Sequence, residues 1–100
     1  MDLNVELIEN KLYIHISGRL DTNTAPDLEN AIKTNLLDSK ELNLDLKDLD
    51  YISSAGLRVI LMYHKHMTSE NGKLYVLSPK EEVMEVFDMT GFSTFLNIRE

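Results

Sequence analysis

Residues 51–61 run Tyr-Ile-Ser-Ser-Ala-Gly-Leu-Arg-Val-Ile-Leu, and this stretch decides the fold. Its start is apolar and typical of a strand, whereas the residues after the small Ser-Ser-Ala-Gly step have the spacing of a helix. A hydroxyl at such a junction lies beside the free N–H groups and the positive end of the helix, where negative charge is stabilised. The position suits a serine that receives a phosphate, and it equally suits a serine that caps a helix.

Three segments upstream of this junction alternate apolar and polar residues with a period of two. Residues 3–8 and 11–17 do so on either side of residues 9–10, which predicts a β-hairpin with Gly18 closing its second strand. Residues 42–47 return to the same period and predict a third strand.

Helical spacing appears in three places, one of them after the serines. Residues 24–37 place apolar side chains on one helical face, with Thr24 as the predicted N-cap and Pro26 in the first turn. The helix after the serines is predicted to end at residues 71–72, Asn-Gly. A short strand over 73–77 follows. Residues 78–81, Ser-Pro-Lys-Glu, then predict a capping box for a third helix that Gly91 ends, with a last strand over 94–98.

The predicted order is therefore β-β-α-β-α-β-α-β, which indicates a single α/β domain over residues 1–100. Strand–helix–strand passages imply parallel pairs with right-handed crossovers, and the first hairpin adds an antiparallel strand. We expect a mixed sheet packed with helices. Because several strands alternate cleanly, the second face of this sheet should be only partly covered.

Composition excludes several function classes. Seventeen acidic against ten basic residues give a net charge of −7, which disfavours nucleic acid and anionic membranes as partners. There is no cysteine, and His15, His64 and His66 do not form a metal-ligand set, so neither a metal nor a cofactor is expected. No run approaches the roughly 18 apolar residues of a membrane span, and the N-terminus lacks a signal-peptide pattern. A cytoplasmic monomer is the expectation.

Four segments, in order and with matching spacing, resemble the STAS domains of bacterial anti-sigma factor antagonists. The serine segment, extended to residues 48–61, resembles the family's signature. Residues 17–21, Ser-Gly-Arg-Leu-Asp, resemble its Gly-x-Leu/Ile-Asp at the end of the second strand. Residues 78–79 and 87–91 match further family positions, so the resemblance spans essentially the whole chain.

The resemblance implies a partner-switching function rather than an enzyme. An unphosphorylated member of the family binds an anti-sigma factor, which is often itself a serine kinase, and thereby frees a sigma factor. Phosphorylation of the antagonist ends this binding, and a phosphatase of the PP2C type reverses it. The family's phosphoserine lies two residues before the glycine and maps onto Ser54. The family usually has aspartate just before it, where this chain has Ser53, so Ser53 is the alternative acceptor.

Several residues around the acceptor are candidates for binding the partner, each beside a structural alternative. Asp21 would contact the partner or order its loop, and Arg58, four residues after Ser54, would meet a phosphate or a partner's acid or stay solvated. Gly56 would let a partner backbone approach or pack on the sheet. The predicted partner-binding set is Asp21, Thr22, Asn23, Ser53, Ser54, Ala55, Gly56 and Arg58.

Two other functions fit parts of the sequence. A serine on a strand-to-helix turn resembles the nucleophile elbow of α/β-hydrolases, but Ile52 stands where the first glycine of that motif belongs, and no histidine comes late in the chain. Related STAS domains also serve in lipid-transport complexes and in stress-signalling assemblies. A role there, without a sigma factor, is the alternative reading of the resemblance, and neighbouring genes would discriminate.

Overall fold

A five-stranded mixed sheet forms the centre of the protein, which the computed structural model describes over residues 1–100. The strands lie in the same order in the sheet as in the chain. The first pair is antiparallel and the other three pairs are parallel. The strands are β1 (Asp2–Ile8), β2 (Lys11–Leu20), β3 (Glu41–Ile52), β4 (Lys73–Leu77) and β5 (Asn97–Arg99).

Three α-helices connect the parallel strands, and the predicted single α/β domain is confirmed. The helices are α1 (Ala25–Leu36), α2 (Ser54–Ser69) and α3 (Glu81–Thr90), and a 3₁₀ turn (Phe92–Thr94) precedes β5. None of these helices has the length and apolar character that crossing a lipid bilayer would require.

The helices bury their apolar faces against one face of the sheet. On β2, Leu12, Ile14 and Ile16 are buried, whereas the alternate residues Tyr13 and His15 are half-exposed. The buried apolar residues of strands and helices form a single cluster of 22. The other face is polar and only partly covered, as the alternation predicts.

Tight turns join the elements at the amino ends of the parallel strands. Glu9 and Asn10 both have positive φ, 50° and 63°, which gives the hairpin the twist its strands require. Asn71 has φ 60°, and a Cβ on Gly72 would lie 2.6 Å from the Lys40 carbonyl oxygen. The predicted stop of α2 at residues 71–72 is therefore confirmed, and close packing requires the glycine there.

Two strands are longer than their period-2 segments indicate. The second strand does not end at Gly18 but continues to Leu20. Gly18 has φ 91° and lies at a shift of the register with β3. The third strand continues past residue 47 to Ile52. The last strand, by contrast, is only Asn97–Arg99, because residues 92–94 form the 3₁₀ turn.

The capping box predicted over residues 78–81 is wrong. The third helix begins at Glu81, its N-cap is Lys80, and no side chain caps it. Ser78 instead takes φ 51° and donates its N–H to the Arg99 carbonyl at 2.6 Å. This serine therefore ties β4 to β5 rather than starting a helix.

The first strand has an exposed apolar row. Leu3, Val5 and Leu7 lie opposite the buried Ile16, Ile14 and Leu12 of β2 in the antiparallel register. Val5 and Leu7 are nevertheless 37% and 56% exposed. Since β1 is an edge strand, the helices do not extend far enough to cover it.

Candidate functional site at the carboxyl edge of the sheet

The two predicted site segments meet where β2 and β3 end side by side. Leu20 and Ile52 pair at the last position of the parallel register. Beyond them, the Ser53 N–H donates to the Leu20 carbonyl at 2.9 Å. The Asp21 loop and the start of α2 therefore share one surface, as the carboxyl ends of neighbouring parallel strands should.

The two serines at the start of α2 have different environments. Ser53 is the N-cap residue, with extended backbone, but its side chain makes no capping hydrogen bond. Its Oγ is buried and has no hydrogen-bond partner. Ser54 is the first helical residue and is exposed. Of the two roles left open for a serine at this junction, Ser54 does not have the capping role, since Ser53 occupies the N-cap position and its side chain makes no capping bond.

The first turn of α2 has free backbone donors. The N–H groups of the first residues of any helix lack intrahelical acceptors, and here no side chain replaces them. The first helical hydrogen bond runs from the Leu57 N–H to the Ser53 carbonyl at 3.0 Å. An anion attached near this turn would meet the positive end of a 16-residue helix.

Asp21 orders the loop between β2 and α1. Its Oδ1 accepts the N–H groups of Asn23 and Thr24 at 3.0 and 3.1 Å. Partial burial raises the pKa of this carboxyl, but the two N–H groups, the Thr24 hydroxyl and the charge of Arg19 outweigh it. The net pKa is therefore below the usual value. In the structure Asp21 therefore orders its own loop, which is one of the two roles that the sequence left open for it.

Thr24 also acts within this loop rather than as the predicted cap. It does stand at the N-cap position of α1, but its side chain makes no capping bond. Its hydroxyl accepts the Asp21 N–H at 2.8 Å and donates to the Arg19 carbonyl at 2.8 Å. The turn holds Thr22 and Asn23 exposed beside the start of α2.

The remaining predicted residues of α2 differ in exposure. Arg58 is exposed and forms no ion pair, whereas Ala55 is half-buried and Gly56 is buried. A Cβ on Gly56 would lie 2.7 Å from Leu20 Cγ and 3.0 Å from Ile52 Cγ1. Close packing on the sheet explains why this residue is a glycine. Because Gly56 is buried, its neighbouring residues lie between it and any partner.

Two side-chain pairs at this edge were not predicted. The Arg19 guanidinium lies 4.0 Å from the ring centroid of Tyr51, which is 41% exposed. Lys80 Nζ lies 2.6 Å from Asp50 Oδ1, and this hydrogen bond raises the pKa of Lys80 despite partial desolvation. Lys80 therefore compensates the negative charge of Asp50, three residues before Ser53. The β2–β3 register places Arg19 opposite Tyr51, whereas Lys80 reaches Asp50 from the start of α3.

The fold and this edge identify the protein class. The sequence profile of the STAS domain family matches residues 2–100, and the chain belongs to this family. BtrV of Bordetella bronchiseptica, which is named provisionally as an anti-sigma factor antagonist, is 36% identical over 93 residues, 92% of this chain and 80% of BtrV. The anti-sigma-B factor antagonist of Bacillus subtilis is 29% identical over 100 residues, 98% of this chain and 92% of that protein.

Solved structures of the anti-sigma factor antagonist SpoIIAA have the same fold. Its unphosphorylated form superposes with a TM-score of 0.84 at 18% identity, over 97% of this chain and 87% of SpoIIAA. Its phosphorylated form, described as a Bacillus cell fate determinant, gives a TM-score of 0.76 at 17% identity, over 97% and 90% of the two chains.

Proposed function

We propose that this protein is an anti-sigma factor antagonist, a regulatory binding protein rather than an enzyme. In its unphosphorylated form it binds an anti-sigma factor that is also a serine kinase, and a sigma factor is released. Its relatives' names support this function. We also propose that the protein is cytoplasmic, and that it acts as a monomer because the candidate surface lies within one chain.

Ser54 is the proposed phosphoacceptor, and the contrast between the two serines carries this assignment. A kinase must bring the γ-phosphoryl group of ATP to a hydroxyl oxygen that it can reach. Ser54 is exposed, whereas the Ser53 Oγ is buried. On transfer the Ser54 hydroxyl loses its proton and ADP leaves. A PP2C-type phosphatase then restores the serine with water and releases inorganic phosphate.

The uncapped first turn explains how the fold would tolerate the modification. A phosphate adds a charge of roughly −1.5 to −2 and three acceptor oxygens. The free N–H groups and the helix dipole would stabilise it, and exposed Arg58 follows one turn later. Docking would change instead, because a partner that buried a neutral hydroxyl would have to desolvate a dianion.

The test combines mass spectrometry with binding. Incubation with the cognate anti-sigma kinase and Mg-ATP should add one phosphate at Ser54 and none at Ser53. Ser54→Asp should weaken binding to the anti-sigma factor by at least about tenfold and leave the melting temperature near that of the wild type. Ser53→Ala is the matched control and should still be phosphorylated. Unchanged affinity of Ser54→Asp, or phosphate on Ser53, would overturn the assignment.

A further inference from the structure

A groove opens between α1 and α2, away from the serine end of α2. Its volume is about 420 Å³, within the range of binding clefts. Met62, on its α2 wall, comes eight residues after Ser54, roughly 12 Å along the helix. The lining residues are Lys33, Leu36, Leu37, Met62, Tyr63 and His66.

Leu37 stands at the rim of this groove in a conformation that does not suit leucine. It has φ 46° and ψ −121°, and positive φ is unfavourable for every residue with a bulky side chain. Its side chain is 79% exposed, so burial in the core does not explain why a leucine is here. Glycine would adopt this backbone without strain and would expose no apolar surface.

The chemistry of the groove differs from that of the whole protein. Four of its six lining residues are apolar, and Met62 on the opposite wall is 36% exposed. The other two are Lys33 and His66; no carboxylate is among the lining residues, and Glu29 acts on Tyr63 from beside the groove. In a chain of net charge −7, this is a local surface that complements an apolar and acidic partner.

We propose that the groove binds an amphipathic helix of a partner protein, with apolar side chains between α1 and α2 and carboxylates facing Lys33 and His66. Two neighbouring helices form a trough into which a third helix packs by its side-chain ridges. A second copy of this chain fits poorly, because its own helices bury their apolar faces in one core and so present no amphipathic helix to the groove. The site is separate from the serine end, so this partner would bind while the carboxyl edge is occupied.

The probe is a synthetic peptide of about 18 residues, some five helical turns, with leucines on one face and glutamates beside them. Binding is followed by NMR of the methionine methyl groups. The Met62 signal should shift on titration, whereas Met89, which is 86% exposed on α3, is the internal control and should not. A peptide with lysines in place of the glutamates should bind at least about tenfold more weakly.

Leu37→Gly tests the rim directly. It should raise the dissociation constant of the acidic peptide by at least about tenfold while keeping or raising the melting temperature, because glycine relieves the positive φ. Leu7→Ala, which removes another exposed leucine, on β1, should leave binding unchanged. The proposal is overturned if Met62 does not respond, if both peptides bind equally, or if Leu37→Gly binds like the wild type. Self-association of the free protein that Leu37→Gly abolishes would assign the groove to a second copy and would also overturn it.

Discussion

The connections at the two ends of the sheet are similarly short, but different contacts hold them in place. At the amino ends of the parallel strands, Asn71 and Leu37 take positive φ, and Gly72 packs against the Lys40 carbonyl. At the carboxyl ends, Asp21 and Thr24 order a loop by hydrogen bonds and hold exposed polar residues in place. The α2–β4 connection is fixed mainly by close backbone contact, and the loop between β2 and α1 mainly by polar side chains. Substitutions should therefore cost stability at the amino end and change recognition at the carboxyl end.

The largest effect should come from Gly72→Ala, at the amino end. The new Cβ would lie 2.6 Å from the Lys40 carbonyl oxygen, which already accepts the Lys73 N–H at 2.9 Å. Because backbone must move, we expect a loss of about 3 kcal/mol in the free energy of unfolding, measured by urea denaturation. Gly91→Ala is the control: φ there is 82°, but no atom lies within 4 Å, and the loss should be about 1 kcal/mol. Equal losses would mean that the close contact of Gly72 with Lys40 costs no more than the positive φ of Gly91.

Gly56→Ala, at the carboxyl end, should cost less. Its Cβ would meet the Leu20 side chain at 2.7 and 2.9 Å, and a side chain can rotate where a carbonyl cannot. Alanine also favours the helix, so we expect a net loss of about 1–2 kcal/mol in the same denaturation experiment. A loss as large as that of Gly72→Ala would contradict the proposed difference between the two ends.

The effect of Ser53→Ala on the free energy of unfolding should be opposite in sign to the usual effect of removing an N-cap residue. Replacing an N-cap serine by alanine ordinarily costs about 1 kcal/mol. Here the side chain caps nothing, and its Oγ is buried without a partner. Removal of this hydroxyl should therefore stabilise the protein by up to about 1 kcal/mol in the free energy of unfolding. A loss of stability would show that Ser53 caps α2 in solution.

The smallest effect concerns His15, on the open face between the two ends. Its Nδ1 lies 2.7 Å from Asp45 Oδ2 and its Nε2 lies 2.8 Å from Glu6 Oε1. The hydrogen bond to Asp45 raises the pKa of His15 above 6.5, against partial desolvation, and the hydrogen bond to Glu6 adds to this effect. A raised folded-state pKa means that the stabilisation is complete below the unfolded pKa and is lost as the pH rises through the folded pKa.

Comparison of His15→Gln with the wild type should reveal this dependence. The stability difference should be larger at about pH 5.5 than at about pH 8.5, by no more than about 0.5 kcal/mol because the imidazole is partly solvated. A difference for His15→Gln that grows with pH would have the wrong sign for these carboxylate contacts.

Periodicity predicted most of the fold, because an alternation of two or a spacing of three to four is imposed by burial on one face. It failed where a distant backbone group decides the conformation. Ser78 resembles a cap in sequence, but the Arg99 carbonyl, 21 residues away, holds its N–H in the structure. The row of Leu3, Val5 and Leu7 has a core-like period but lies at an edge, and periodicity does not reveal which strand is outermost.

The details of the candidate site could not be predicted from the sequence. The resemblance located Ser54 and Asp21, and the fold brings their segments together. It did not reveal that Ser53 Oγ is buried, that Asp21 accepts two backbone N–H groups, or that Arg19 packs on Tyr51. The hydrogen bonds of Asp21 are local to its loop. The other two features depend on how the ends of β2 and β3 lie relative to each other, which is a consequence of their register.

The strands have the same order in the sheet as in the chain, and this has a consequence for biosynthesis. Each new strand pairs with the one made just before it, so no strand has to wait for a later one to fill a gap beside it. Loops that close early and locally lose little entropy and fold fast. As the ribosome extends the chain from its N-terminus, the sheet can grow strand by strand, and the start of α2 has its neighbouring strands, β2 and β3, in place as soon as it emerges.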